Sequence, residues 1–411
     1  MKRLKVSLCF NEDSEIPVGE LAEKDHRIYF QYDSDFLSKS LWLSPYKLPL
    51  TSDLLEHKDT DFGPIFGLFD DSLPDGWGLM LMDRFLKGQG FSIDKLSVLD
   101  RLSFLGKNTM GALSYKPELV GDGIDPASFD LYKLFIQSQK IITGRTQEVL
   151  PELMKAGGSP GGARPKVLVG VSKDKLISGE GCLPNEFASW IIKFNGINDF
   201  IDSGPVEYAY SLMAKDCGIN MPETRLFNTD QGNLFFGVKR FDREGSKRLH
   251  SHTFGNLIHS NFRIPSSDYE MFFRVVNNLT KNYQDLLKGF RQMVFNIFSN
   301  NRDDHVKNFS FIMNVDGEWS LSPAYDLTFS PGPGGEHSMT VDGEGRSPSR
   351  KNIYCLGEKS GLKKGEITLI VDHISQVLSN WPEYAETAGV SEKTMKKIQD
   401  IMVNHRHRTE L

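Results

Sequence analysis

Cysteine is scarce in this chain. Its 411 residues hold four, Cys9, Cys182, Cys217 and Cys355, with no C-x-x-C pair and no histidine at zinc-ligand spacing. Such a scatter offers neither a disulfide framework nor a zinc site, and the thiols read as small buried hydrophobes in a reducing compartment. A basic surplus is also missing. Lys and Arg number 48 against 54 Asp and Glu, for a formal charge of −6, which argues against strong nucleic-acid binding by the chain itself. No run of about 20 apolar residues occurs, and the basic start is followed by only a short mixed run at 6–10 before Glu12 and Asp13. Neither a signal peptide nor a membrane span is expected, and the reading is a soluble cytoplasmic protein. Internal repeats and low-complexity tracts are absent. What remains is ordinary globular composition, 39% apolar and 25% charged, in a chain long enough for two or three domains.

Period-two alternation marks strands at 5–10 and 27–32, and an apolar run follows a glycine at 111–115. Residues 70–78, Asp-Asp-Ser-Leu-Pro-Asp-Gly-Trp-Gly, are dense in turn formers and precede a helical pattern at 79–86; residues 120–126 read as a linker. From 127 to 240 helix and strand signals alternate. Strands are expected at 167–171, 188–194 and 235–241, with helices at 130–142 and 207–217, the latter closed by Gly218. Beyond 245 the chain reads as mainly helical. Its clearest helix, 283–299, carries Leu286, Phe290, Met293, Val294 and Ile297 on one face. Two short strands at 309–314 and 318–321, joined by Asp316-Gly317, and helices at 366–380 and 392–404 complete the pattern. A small mixed lobe ahead of a larger helical one suits a nucleotide held in a cleft.

The chemistry concentrates between the long helix and the hairpin, in Asn-Arg-Asp-Asp-His-Val-Lys-Asn at 301–308. Asp303 and Asn308 have the D-x-x-x-x-N spacing of a kinase catalytic loop. A carboxylate there can orient and deprotonate an attacking hydroxyl, and a neutral amide oxygen can hold Mg²⁺ without adding charge. Asp326, one hairpin later, stands where a second metal ligand belongs. Taken alone the spacing more often describes a polar capping loop; the order helix, loop, hairpin, aspartate is the stronger signal. Upstream, Lys193 lies in an apolar strand, a costly place for an ammonium unless phosphates or a carboxylate such as Glu207 meet it; the alternative is the solvent face of an edge strand. The glycine-rich segment 157–166, Gly-Gly-Ser-Pro-Gly-Gly-Ala-Arg-Pro-Lys, matches neither a Walker A loop nor G-x-G-x-x-G. Its backbone at Gly161, Gly162 and Ala163 could approach phosphates, Arg164 and Lys166 add positive charge, and Ser159 would be a phosphorylatable hydroxyl beside the catalytic centre. A flexible surface loop is the competing reading. Lys239 and Phe241, where the last strand of the small lobe ends, are candidates for the adenine edge and ring.

Together these segments resemble the HipA family, the kinase toxins of bacterial toxin–antitoxin modules. The resemblance rests on Ser-Pro-Gly-Gly-Ala-Arg-Pro-Lys at 159–166, Ile192-Lys193, Arg-Phe-Asp-Arg at 240–243, the 301–308 block running into Phe309-Ser310, Pro323-x-Tyr-Asp326, and Ser-Leu-Pro-Asp-Gly-Trp at 72–77. It implies an α+β, bilobal, protein-kinase-like fold related to lipid kinases. The expected divisions are an N-terminal β-rich subdomain at 1–119, a kinase N-lobe at 127–243 and a helical C-lobe at 244–411. It further implies Asp303 as catalytic base, Asn308 and Asp326 as Mg²⁺ ligands, Lys193 on the ATP phosphates, and His305 and Lys307 supporting the loop, with Lys307 near the γ-phosphate. Ser159 would be autophosphorylated, driving its loop out of the cleft. The implied partners are a HipB-type helix-turn-helix antitoxin, through which alone DNA would be met, and a protein substrate such as an aminoacyl-tRNA synthetase. Two departures touch substrate identity, Arg164-Pro165 in the glycine-rich loop and the stretch 250–254, His-Ser-His-Thr-Phe. A catalytically weak corepressor subunit and a small-molecule or lipid kinase are the alternatives.

Overall fold

The computed structural model describes residues 1–11, 13–118, 130–157, 162–173, 175–179, 181, 183–197, 199–264 and 266–409. Ser159, Gly161, Cys182 and the linker expected at 120–126 lie outside the described residues. The first sheet is antiparallel and five-stranded. It comprises β1 (Lys2–Asn11), β2 (Ser14–Lys24), β3 (Arg27–Tyr32), β4 (Leu55–Glu56) and β5 (Leu113–Lys116), in the order β4-β3-β2-β1-β5. Alternation along β1 sends Leu4, Val6, Leu8 and Phe10 into a core shared with Leu21, Phe30, Phe69 and Tyr115. The helix Val98–Leu105, begun by a Ser97–Asp100 capping box, flanks it, while the helix Gly76–Gly88 buries Trp77, Leu81 and Met82 in the core of the next sheet.

A second antiparallel sheet follows: β6 (Lys166–Ser172), β7 (Lys175–Ser178), β8 (Ala188–Lys193), β9 (Thr224–Asn228) and β10 (Leu234–Lys239), ordered β7-β6-β8-β10-β9. β8 is therefore central, and Lys193 is not on an edge strand. The helix Ser203–Asp216 lies against this sheet so closely that a Cβ on Gly204 would fall 2.5 Å from the Leu234 carbonyl oxygen. It begins at Ser203 rather than at Glu207, because Gly-Pro at 204–205 is tolerated in a first helical turn. After a ribbon of β11 (Arg243–Glu244) and β12 (Lys247–Arg248), β13 (His250–Thr253) pairs with β14 (Ser310–Met313), which pairs with β15 (Trp319–Leu321). Beyond 245, then, the chain is not helical alone.

The helices Tyr269–Thr280, Tyr283–Phe298, Arg350–Lys359, Lys364–Ser379, Trp381–Ala388 and Glu392–Thr409 enclose the largest core, with Phe272, Phe290, Met293, Ile374 and Trp381 buried in it. The apolar stripe read along 283–299 supplies one wall. No helix among the described residues is long and apolar enough to cross a membrane.

Candidate active site

Lys193 ends the central strand β8 and is almost fully buried, so its ammonium must find anions. It finds two. Glu207, in the second turn of the helix Ser203–Asp216, accepts at 2.5 Å, and Asp326 pairs with it from the far side of the cleft. Burial pushes the Lys193 pKa down, but Asp326 and Glu207 outweigh it and hold the group above its ordinary value. Asp326 answers in kind. Burial alone would raise its carboxyl, yet Lys193 and Lys166 hold it well below the carboxylate range. Its backbone has φ of 55°, left-handed and sparsely populated for a non-glycine residue, a strain that clusters at functional sites. Arg164 completes the cluster, with Nη1 2.7 Å from Glu207 and Nε 2.9 Å from Asp199. The Arg164 departure thus sits on the glutamate that orients Lys193.

The catalytic-loop candidates arrive together on the opposite wall. Asp303 lies at the surface of the cleft, and no described residue hydrogen-bonds its carboxylate. Crowding by the surrounding protein raises its pKa, Asp326 and Asp304 raise it further, and His305 opposes them. Asn308 donates Nδ2–H to the Asp303 carbonyl at 2.5 Å, so the amide's oxygen end remains as an acceptor. His305 supports the loop: its Nδ1 accepts from the Lys307 amide at 3.2 Å and its ring lies 5.4 Å from Phe262. Asp304, which the motif reading passed over, is wholly buried. It accepts from the Tyr269 hydroxyl at 2.7 Å and the Ser338 amide at 2.8 Å, and pairs with His337 at 2.9 Å. These bonds fix the backbone on which Asp303 sits.

Lys307 points toward a residue no motif announced. Its ammonium is 3.1 Å from Asp70, in the turn-rich segment after β4, and 5.1 Å from the Phe262 ring centre. The same segment reaches the glycine-rich loop. The Gly162 amide donates to the Asp75 carboxylate, the Trp77 amide donates to the Gly162 carbonyl at 3.1 Å, and Trp77 Nε1 donates to the Lys166 carbonyl at 3.2 Å. Gly162 has φ of +100°, and a Cβ there would strike the Lys166 ammonium. Lys166 is buried, which lowers its pKa against the pull of Asp326.

The end of β10 is arranged differently from a simple adenine platform. The Lys239 and Arg240 amides donate to the carbonyls of Glu223 and Ser189, so an adenine-edge donor would have to come from a later amide. Phe241 stacks on Tyr325, centres 5.7 Å apart and planes at 29°. Arg240 and Arg243 both grip buried Asp242, which also accepts from the Gly111 amide at 2.8 Å. Arg-Phe-Asp-Arg is thereby a tie to the first sheet's region. The other departure, at 250–254, lies on that same boundary. His250 meets the Leu43 carbonyl at 3.1 Å, and His252 bridges Ser44 and Asp71.

A cavity of about 300 Å³ opens between Asp70, Leu73 and Asp75 on one side and Phe262, Arg263 and Lys307 on the other. The oxygen donors Asp326 and Asn308, with Lys193 and Lys166 beside them, fit a magnesium ion that takes one or two protein oxygens and completes its shell with phosphates and water.

Comparison with known proteins bears on the family and the fold. Residues 158–406 match the family model for the HipA-like C-terminal domain, and residues 13–116 match that for the HipA N-terminal domain. A Sinorhizobium fredii protein named "Putative kinase Y4dM" is 29% identical over 247 residues, 54% of this chain. The chain covers 58% of that curated relative's length. A chain from the solved complex of the Shewanella oneidensis MR-1 toxin–antitoxin system, HipA, HipB and operator DNA, matches with a TM-score of 0.72 at 16% identity, covering 99% of this chain and 96% of that one. That likeness is one of fold. The Helicobacter pylori proinflammatory kinase CtkA matches at a TM-score of 0.41 and 13% identity, over 64% of this chain and 92% of that one, too distant to carry an argument. With one family model covering over half of the residues and the other covering β2 to β5 of the first sheet, the chain belongs to the HipA family.

Proposed function

We propose that the protein is a cytoplasmic kinase that transfers the γ-phosphoryl group of Mg²⁺-ATP to a serine or threonine hydroxyl of a protein, as the toxin of a toxin–antitoxin module. The observation that carries this reading is Lys193, held between Glu207 and Asp326 and facing the Asp303–Asn308 loop across one cleft. Bound Mg²⁺-ATP would supply the phosphoryl group and neutralise its charge. The protein's own share is positional and protonic. Lys193 and Lys166 would bind phosphate oxygens, the Asp326 carboxylate and the Asn308 amide oxygen would hold the cation, and Asp303 would take the hydroxyl proton as the new P–O bond forms and the bond to the departing ADP oxygen breaks. A carboxyl raised above its usual pKa is a better proton acceptor wherever the working pH stays above it. Phe241 is the residue for the adenine ring, and the cavity beside Lys307 is where a polypeptide acceptor would enter.

The partner reading follows the solved complex, whose title couples HipA to HipB and operator DNA. An antitoxin of HipB type is proposed here too, with DNA met only through it, in keeping with the net charge of −6. An aminoacyl-tRNA synthetase is the proposed target, and Ser159 the autophosphorylation site. Incubating the protein and Asp303→Ala with labelled ATP and cell lysate tests the reading. Label should enter protein with the wild type alone. Label entering metabolites or lipid instead would favour a small-molecule kinase, and none anywhere would favour a corepressor subunit.

A further inference from the structure

Both walls of the cleft are gripped by one short segment that belongs to neither. Residues 70–77 follow the helix Gly67–Asp70, packed in the first sheet's core, and run into the helix Gly76–Gly88, packed in the core of the second sheet. Asp71 anchors the segment firmly. It accepts from the Thr253 amide and hydroxyl at 2.8 and 2.7 Å, from Asn256 at 2.8 Å, and pairs with His252 at 2.5 Å. From that anchor, Asp70 extends to Lys307 on the catalytic loop and is itself steadied by Asn256 at 2.9 Å. Five residues on, Asp75 and Trp77 take hold of Gly162 and Lys166 in the glycine-rich loop. The approach at Gly76 is so close that a Cβ there would lie 2.8 Å from Ala163 Cα, and its φ of 44° is one glycine adopts freely.

We propose that the segment 70–77 is a bracket in which Asp75 and Trp77 position the glycine-rich loop for nucleotide and Asp70 positions Lys307 for transfer. Affinity for ATP and turnover are then set by separate residues of one element. Because that element is held to Thr253 and Asn256 at Asp71 and to the first sheet's core at Phe69, a shift of either against the glycine-rich loop changes both at once. Asp70, Asp75 and Trp77 are positioning residues, since they act through the groups they hold. The activity readouts rest on the kinase reading; the geometric ones do not.

The test uses the full-length protein with Asp75→Ala, Asp75→Asn and Asp70→Asn. In nucleotide-free protein, hydrogen exchange followed by mass spectrometry should show faster exchange of the backbone amides at 162–166 in Asp75→Ala. Asp75→Asn keeps an acceptor oxygen and should stay near wild type. Acetylation of Lys307 by acetic anhydride should speed up more in Asp70→Asn, which removes the ion pair, than in Asp75→Asn, which removes only a more distant charge. With Mg²⁺-ATP, Asp75→Ala should weaken binding about tenfold, the scale of a hydrogen bond to a charged group. Asp70→Asn should lower turnover by about the same factor and leave ATP affinity unchanged. Unchanged exchange at 162–166 in Asp75→Ala, or protection lost throughout the chain in both Asp75 variants, would overturn the bracket. A wild type that binds no ATP would sink the kinase reading, and exchange and acetylation would still decide the bracket.

Discussion

Asp303 must be ionised to accept a proton, and its neighbours set the pH at which that holds. Crowding first, then Asp326 and Asp304, raise its carboxyl, with His305 pulling the other way. Turnover should therefore fall on acidification as pH drops through this raised value, above the ordinary aspartate value of about 3.9. A pH profile of kcat, with circular dichroism confirming the fold at each point, checks this; a rate that stays flat down to the ordinary aspartate range contradicts it. Asp303, Asn308, Asp326 and Lys193 were legible in the sequence as candidates, because type and spacing within short motifs point to them, and the structure brings them to one cleft. Asp70 was not. It sits 237 residues from Lys307, and one aspartate among turn formers carries no sign of its distant partner. Asp75 lay inside the recognised 72–77 motif, but its partner Gly162 was hidden for the same reason.

At the scale of elements, the helix Ser203–Asp216 decides whether Glu207 meets Lys193. Gly204 lets that helix lie on β10, since any Cβ would press on the Leu234 carbonyl, which is backbone and cannot swing aside. Gly204→Ala should cost about 1–3 kcal/mol of stability, typical of overpacking, and should weaken ATP binding as Glu207 is pushed out of line. Denaturant unfolding and ATP titration measure the two effects, and wild-type values in both would refute the argument. Periodicity revealed the strands β1, β3, β6, β8 and β10 and the long helix Tyr283–Phe298, where apolar residues face one core. It missed β13, whose inward positions are His250 and His252. Histidine reads as polar in a sequence, and only the Leu43 carbonyl, Ser44 and Asp71 make these positions interior.

Across the whole molecule, Asp242 joins the second sheet to the first sheet's region. Two arginines and the Gly111 amide satisfy it in a fully buried site, and Arg243 and Arg248 reach on to Thr109 and Gly111 carbonyls. Burial would raise its carboxyl, but Arg240 and Arg243 hold it far below the ordinary range. Its contribution is thus present above the unfolded value of about 3.9 and is lost as pH falls below it. Asp242→Asn leaves two buried guanidinium groups short of a counter-charge and should cost about 3–5 kcal/mol in denaturant unfolding at neutral pH. A loss under 1 kcal/mol would mean that the pair is not what holds these regions together. The fold class was implied by the family resemblance, but this tie was not, because Arg-Phe-Asp-Arg looks like a strand ending and its partners lie more than a hundred residues upstream.

The account turns on phosphoryl transfer at Asp303, and the most direct test is intact mass after incubation with Mg²⁺-ATP for the wild type, Ser159→Ala and Asp303→Ala. The expected result is phosphate gained by the wild type and by neither variant. Phosphate on Asp303→Ala, or none on a wild type that also fails to bind ATP, would contradict it.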